Sequence, residues 1–257
     1  MSSRGLAQKW RNVANVEVNS NTVRSRLFSA GRFSFVASKK PLLTARHRAA
    51  RLQWARERLD WTEEQWSRIL FSDETPIHLV QCTQRRYYCS VRGVGRRRDI
   101  VQPRIQSGGG SVMVWGTFSS KGPIPLHRIH GTLTSVAYIH VLEEQVLPFF
   151  QRHENFLFQQ DNATAHKARR TMAWFEEQGI DVLPWPANSP DLNPIENCWS
   201  YVKAELDRRV VRGMEQLFQV ADEVFQQMPR EYIANVIASM PERCRQVVAR
   251  GGRHTDY

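Results

Sequence analysis

Along this chain the apolar positions alternate between two spacings, about 3.6 residues in some stretches and 2 in others, and each change marks a new element. Leu6, Trp10 and Val13 share one helical face and predict a helix over residues 4–15. A second helix is predicted over residues 19–31. Asn19 or Ser20 caps its start, Val23 and Leu27 face inward, and Gly31 ends it. Thr44 opens a third that runs to Leu59, with Ala45, Ala49, Leu52 and Leu59 assigned inward and Arg46, Arg48, Arg51, Arg56 and Arg58 outward. Thr62 and Gln65 then have capping-box spacing, with Trp61 and Trp66 placed as the hydrophobic staple around it.

Beyond Trp66 the chain turns to strands. Ile69–Asp73, Tyr87–Val91 and Ser111–Phe118 are apolar runs separated by Gly93 and Gly95, by Gly108–Gly110, and closed by Gly122 and Pro123, which predicts antiparallel pairing. Helices are then predicted over 134–150, 163–178, 193–211, 214–228 and 230–249. Between them lie short buried strands at 156–160 and 180–183. Strands first, then alternating helices and strands, predict an α/β domain with a mixed sheet, preceded by a small helical segment. The division falls at 1–43 and 44–257.

An apolar share of 41% supplies enough material for a core, and no run approaches the length of a membrane span. Cys82, Cys89, Cys198 and Cys244 form no C-x-x-C pair, so buried thiols in a reducing compartment are expected rather than a zinc site or a disulfide framework. Charge changes the picture more. Residues 1–60 hold 13 Lys and Arg against three acids, so +10 of the net +11 lies in that quarter of the chain. A basic head on a nearly neutral body points to a polyanion as partner. Two short helices, the second carrying Arg24 and Arg26 off its inner face, have the layout of a helix-turn-helix. Arg32, Lys39 and Lys40 follow in a basic linker, and Arg96, Arg97 and Arg98 sit in a glycine-rich loop. All are candidates for contacts with DNA phosphates. The Arg96–Arg98 run also passes as a nuclear-import signal, and a nuclear location is expected.

Candidate chemistry lies in three acids. Asp73 ends the strand-like run Ile69-Leu70-Phe71-Ser72, and Asp161 follows Phe156-Leu157-Phe158-Gln159-Gln160. Glu196 stands in the first turn of the helix that Asn193 caps and Pro194 begins, with 34 residues between it and Asp161. Carboxylates at the ends of separate elements suit a pair of Mg²⁺ ions, hard cations that take oxygen ligands and few protein ligands per ion. Each acid alone has a structural explanation: a capping box for Glu196, an Asx turn for Asp161, a polar strand end for Asp73. Glu74 points to the opposite face of its strand from Asp73, and Asp191 lies in a Pro-bounded turn. His166 and Asn193 are placed at the edge of the site.

Ser72-Asp73-Glu74, then Gln160-Asp161-Asn162-Ala163 with His166, then Ser189-Pro190-Asp191-Leu192-Asn193-Pro194-Ile195-Glu196-Asn197 resemble the catalytic motifs of the mariner superfamily of DDE transposases. The order and the 34-residue spacing are those of the branch with Glu as third ligand. The resemblance implies a ribonuclease-H-like catalytic domain that cleaves transposon ends and transfers the strands into target DNA. It implies Asp73, Asp161 and Glu196 as catalytic residues holding two Mg²⁺ ions, with Mn²⁺ a possible substitute. It further implies terminal inverted repeats and TA target sites as substrates, a homodimer, and no membrane. The family carries two helix-turn-helix modules, of which the sequence shows part of the second. A truncated, transposase-derived DNA-binding protein and a general nuclease of the same fold are the competing expectations.

Overall fold

A computed structural model describes residues 3–14, 17–31, 40–79 and 110–257. They fall into two units, Met1–Pro41 and Leu42–Tyr257. The predicted strand Tyr87–Val91, the loop bearing Arg96, Arg97 and Arg98, the linker residues Arg32 and Lys39, and Cys82 and Cys89 lie outside the described residues.

In the first unit, helix α1 (Ser3–Ala14) meets helix α2 (Ser20–Ser29). Asn19 caps α2 as predicted, its Oδ1 accepting the Asn21 N–H at 2.9 Å, and Val23 is buried. Arg24 and Arg26 are exposed on α2.

The second unit opens with α3 (Ala45–Arg56) and α4 (Glu63–Ser67). At α4 the sequence is read correctly. Thr62 and Gln65 bond reciprocally, and the Trp61 and Trp66 rings close over them with centroids 4.8 Å apart. At α3 the assignment of faces is wrong in part, with Arg46 and Arg56 exposed as expected. Ala45, Ala49 and Leu59 are exposed, while Arg51, Trp54, Ala55 and Arg58 are buried. Internal partners reverse the expectation. Arg51 meets a buried acid, and the Arg58 guanidinium lies over the Trp54 and Trp61 rings at 4.6 and 5.2 Å from their centroids.

Strands β1 (Ile69–His78), β2 (Ser111–Ser119) and β3 (Gly122–Ile129) form an antiparallel meander. Helix α5 (Ser135–Val141) runs through a π turn at Leu142–Val146 into α6 (Leu147–Phe150). The single predicted helix is interrupted there because Pro148 has no N–H to return to the preceding turn. Strand β4 (Leu157–Gln159) joins β1 in parallel, α7 (Arg169–Gln178) crosses over, and β5 (Val182–Leu183) pairs with β4. The sheet is mixed, as expected, in the order β3-β2-β1-β4-β5. Strand β3 escaped the sequence reading because Pro123 and Pro125 interrupt it. It is an edge strand, where proline is tolerated. Four helices complete the unit: α8 (Ile195–Leu206), α9 (Met214–Gln226), α10 (Arg230–Ala238) and α11 (Met240–Ala249). The last two were expected as one. Pro241 separates them, lying in the first turn of α11, where a missing N–H does no harm.

Alternation along β1 sorts the core into two. Ile69, Phe71 and Ile77 face a cluster with α3 and α8–α11, and Leu70 faces a second with α5 to α7. Asp73 shares parity with the first set and Glu74 with the second, so the two acids are turned to opposite faces, as the strand period requires. Among the described residues no helix is long and apolar enough to cross a membrane.

Candidate active site

Asp73 does not end its strand; β1 continues to His78. The position is nevertheless special, because the parallel pairing with β4 stops at Phe71–Gln159, two residues earlier. Asp161 follows β4 by two residues and its side chain is 52% exposed. Glu196 is the second residue of α8. Three elements thus deliver an acid to the region just past the end of β4.

Asn193 links them. Its Nδ2 donates to the Ser72 carbonyl at 3.1 Å, next to Asp73, and its Oδ1 accepts the Ile195 N–H at 3.3 Å, next to Glu196. Its backbone N–H is taken by Pro190 O, so the capping box that would have explained Glu196 structurally does not form. Asp161 does make the Asx turn of its alternative explanation, accepting the Ala163 N–H at 2.8 Å. That bond uses Oδ1, the oxygen that also meets His166 Nδ1 at 2.6 Å.

The electrostatics couple the acids. Burial first, then the charges of Glu74, Glu196 and Asp161, push the Asp73 carboxyl up to about 8. Burial likewise raises Glu196, partly offset by the Lys203 ammonium. For Asp161 burial works upward, but the hydrogen bonds from His166 and Ala163 prevail and hold it below the usual range. His166 is buried, and burial alone would lower it. Hydrogen bonds to Asp161 and to Glu74 Oε1, the latter at 3.2 Å, outweigh this and raise it to about 9. It is therefore an imidazolium at neutral pH, donating to a carboxylate on each side, with Tyr138 against its ring at 4.2 Å between centroids. Tyr138 in turn donates to Gln160 at 2.8 Å. His166 is thus buried between the Asp161 and Glu74 carboxylates.

Lys203 went unnoticed in the sequence. It stands seven residues after Glu196, two turns along the same face of α8, and Nζ donates to Thr75 Oγ1 at 2.8 Å. Burial lowers its pKa while Glu196 and Asp73 raise it. The helical interval Glu196-x₆-Lys203 was the available signal. Asp191, considered as a rival ligand, is committed elsewhere. Arg51 grips it with two bonds of 2.8 and 2.7 Å, both side chains buried. Thr255 N–H adds a third bond, and Arg243 spans the Asp191 carbonyl and Asn197 Oδ1. The start of α8, which carries Glu196, is thereby fastened on both sides.

The donor set, all carboxylate oxygens, has the chemistry for a hard divalent cation. Its geometry is open. Among the described residues no group of three or more His, Cys, Asp and Glu side chains is already arranged to hold a metal ion. The acids act on one another through their charge without forming a closed cage. Of the DNA-contact candidates, Arg24 and Arg26 are exposed and Lys40 is half-buried. Arg51 and Arg58 are removed from any phosphate-facing role by their internal partners.

The chain matches a family described as DDE superfamily endonuclease over residues 68–218, and one described as transposase over residues 1–60. It is 36% identical over 240 residues to the Tcb2 transposase of Caenorhabditis briggsae, covering 92% of this chain and 87% of that protein. With the Tc1 transposase of Caenorhabditis elegans it shares 32% over 238 residues, at the same coverage. Among solved structures, the Mos1 mariner paired end complex with Mn has a TM-score of 0.79 at 23% identity, covering 100% of this chain and 76% of that one. The paired end complex with Mg gives 0.80 at 22%, with the same coverage. At these identities the likeness to Mos1 is one of fold, and it is the ribonuclease-H-like fold that the motifs implied.

Proposed function

The chain belongs to the DDE superfamily endonucleases as a transposase of the Tc1/mariner type, and from that premise we propose that it cleaves DNA strands at transposon ends and joins them to target DNA through Asp73, Asp161 and Glu196. The observation that carries the assignment is the placement of Asp73, Asp161 and Glu196 by three separate elements just past the end of β4. Folding alone gains nothing from collecting acids that repel one another. Two Mg²⁺ ions, or Mn²⁺ in their place, would be held by Asp73, Asp161 and Glu196 and would supply Lewis-acid stabilisation of the attacking and leaving oxygens. The chain's own groups prepare the site. His166 fixes the rotation of the Asp161 carboxylate, Asn193 ties the Glu196 helix to β1, and Lys203 offsets part of the negative charge.

Within this function the exposed Arg24 and Arg26 of α2 contact DNA, with Arg32, Lys39, Lys40 and Arg96–Arg98 adding phosphate contacts. The substrates are terminal inverted repeats and TA target sites, the working form is a homodimer, the location is the nucleus, and residues 1–43 and 44–257 divide DNA recognition from catalysis. The test is nicking of a duplex carrying the element's own ends, in Mg²⁺, by the wild-type chain and by Asp161→Asn. Nicking at the ends, lost in the variant, is expected. DNA binding without any nicking favours a transposase-derived DNA-binding protein, and nicking indifferent to the ends favours a general nuclease.

A further inference from the structure

Six residues beyond Asp161 the chain places three cations within four positions, Lys167, Arg169 and Arg170, and all three are exposed. None of their side chains makes a hydrogen bond or ion pair with a described residue. Lys167 is near enough for its charge to act on Asp161, whose carboxylate opens to solvent. The cations therefore border the active site and take no part in holding it together.

Their placement also works against the helix that bears two of them. Arg169 and Arg170 occupy the first turn of α7 and Glu176 and Glu177 its last, with no acid in the first turn, no base in the last and no side-chain cap at Ala168. A helix dipole favours the reverse order, acids first and bases last. What holds α7 is its buried face, Thr171, Trp174 and Phe175. The charges at its start are left for another purpose.

We propose that Lys167, Arg169 and Arg170 form a docking surface for the phosphates of duplex DNA alongside the cleavage site. This rests on the transposase function proposed above and names a contact that brings the scissile strand to Asp161. The partner chemistry follows from the surface. Three adjacent, unpaired cations suit the closely spaced negative charges of a DNA backbone, and such contacts position a duplex without reading its bases.

The test uses the full chain and measures binding against salt concentration, without Mg²⁺, on an end-containing duplex and an unrelated one. The variant Arg169→Gln/Arg170→Gln is expected to lower the slope of log K against log salt by about 2, equally on both duplexes. Its melting temperature should equal or exceed that of wild type, because repulsion from the helix dipole is relieved. Arg230→Gln, at the start of a different helix, should leave the slope unchanged. If the double variant does not fold, Lys167→Gln, in the turn before α7, serves in its place, with an expected reduction of about 1. An unchanged slope in a folded variant overturns the docking surface while wild-type nicking still stands. A wild-type chain that neither binds nor nicks end DNA overturns the transposase function and this inference together.

Discussion

Asp73 shows how a single side chain can be useful and unfavourable at once. In the metal-free protein its carboxyl is raised from 3.8 to about 8, so the folded state holds a proton that the unfolded chain releases near its ordinary value. Its contribution to stability is complete below about pH 4 and is lost as the pH rises through about 8. Asp73→Asn, melted in chelator across that window, is expected to show a flatter profile. Above pH 8 it should exceed wild type by an amount on the order of a few kcal/mol, while Mg²⁺-dependent nicking disappears. His166 works through a neighbour. His166→Ala leaves Asp161 without its 2.6 Å partner, and nicking should fall about 10- to 100-fold, with more metal needed for half-maximal rate. The three acids were singled out by the motif. Lys203 and the Glu74–His166 bond were not, because pairs across a helix face or between a strand and a loop leave no run of letters to notice.

At the scale of elements, α8 sits where it does because β2 lacks one side chain. Gly116 pairs with Asp73, and a Cβ there would lie 2.4 Å from the Trp199 ring and 2.8 Å from Leu126. Trp199 is on α8, three residues after Glu196. Gly116→Ala should destabilise by about 1–3 kcal/mol and depress nicking further than the fraction unfolded explains. Reducing the ring with Trp199→Phe should recover part of both, as a double-mutant cycle would measure. Helix starts were easy to find, since Asn19, Thr44 and Thr62 each cap as their side chains allow. Strand β3 and the π turn were hidden because proline disguised one as a turn and broke the other. The inward face of α3 was misassigned because a buried arginine and a solvated one are the same letter, and only the partner tells them apart.

Across the whole molecule, the Arg51–Asp191 pair joins residues 140 apart. Burial would raise Asp191, but Arg51 and the Thr255 N–H hold it below the carboxylate range. The stability it lends is present above the unfolded value and is lost as the pH falls through the folded one. Arg51→Ala should cost about 3–5 kcal/mol, because a buried carboxylate is left unpaired. The pair Arg51→Met/Asp191→Leu should cost less than the separate changes summed, as chemical denaturation would show. The charge imbalance between head and body was visible in composition. That Arg51 and Arg58 spend their charge internally was not, so the cationic surface of the first 60 residues is smaller than a count of letters implies.

The same pair bears on the order in which the protein is made. Asp191 and Asn197 flank Glu196, and they are held by Arg243 and Thr255, which a ribosome adds some fifty to sixty residues later. The third acid is therefore secured only after those later residues have emerged. A nascent chain carries its first two carboxylates for some time before it has a finished centre able to cut DNA.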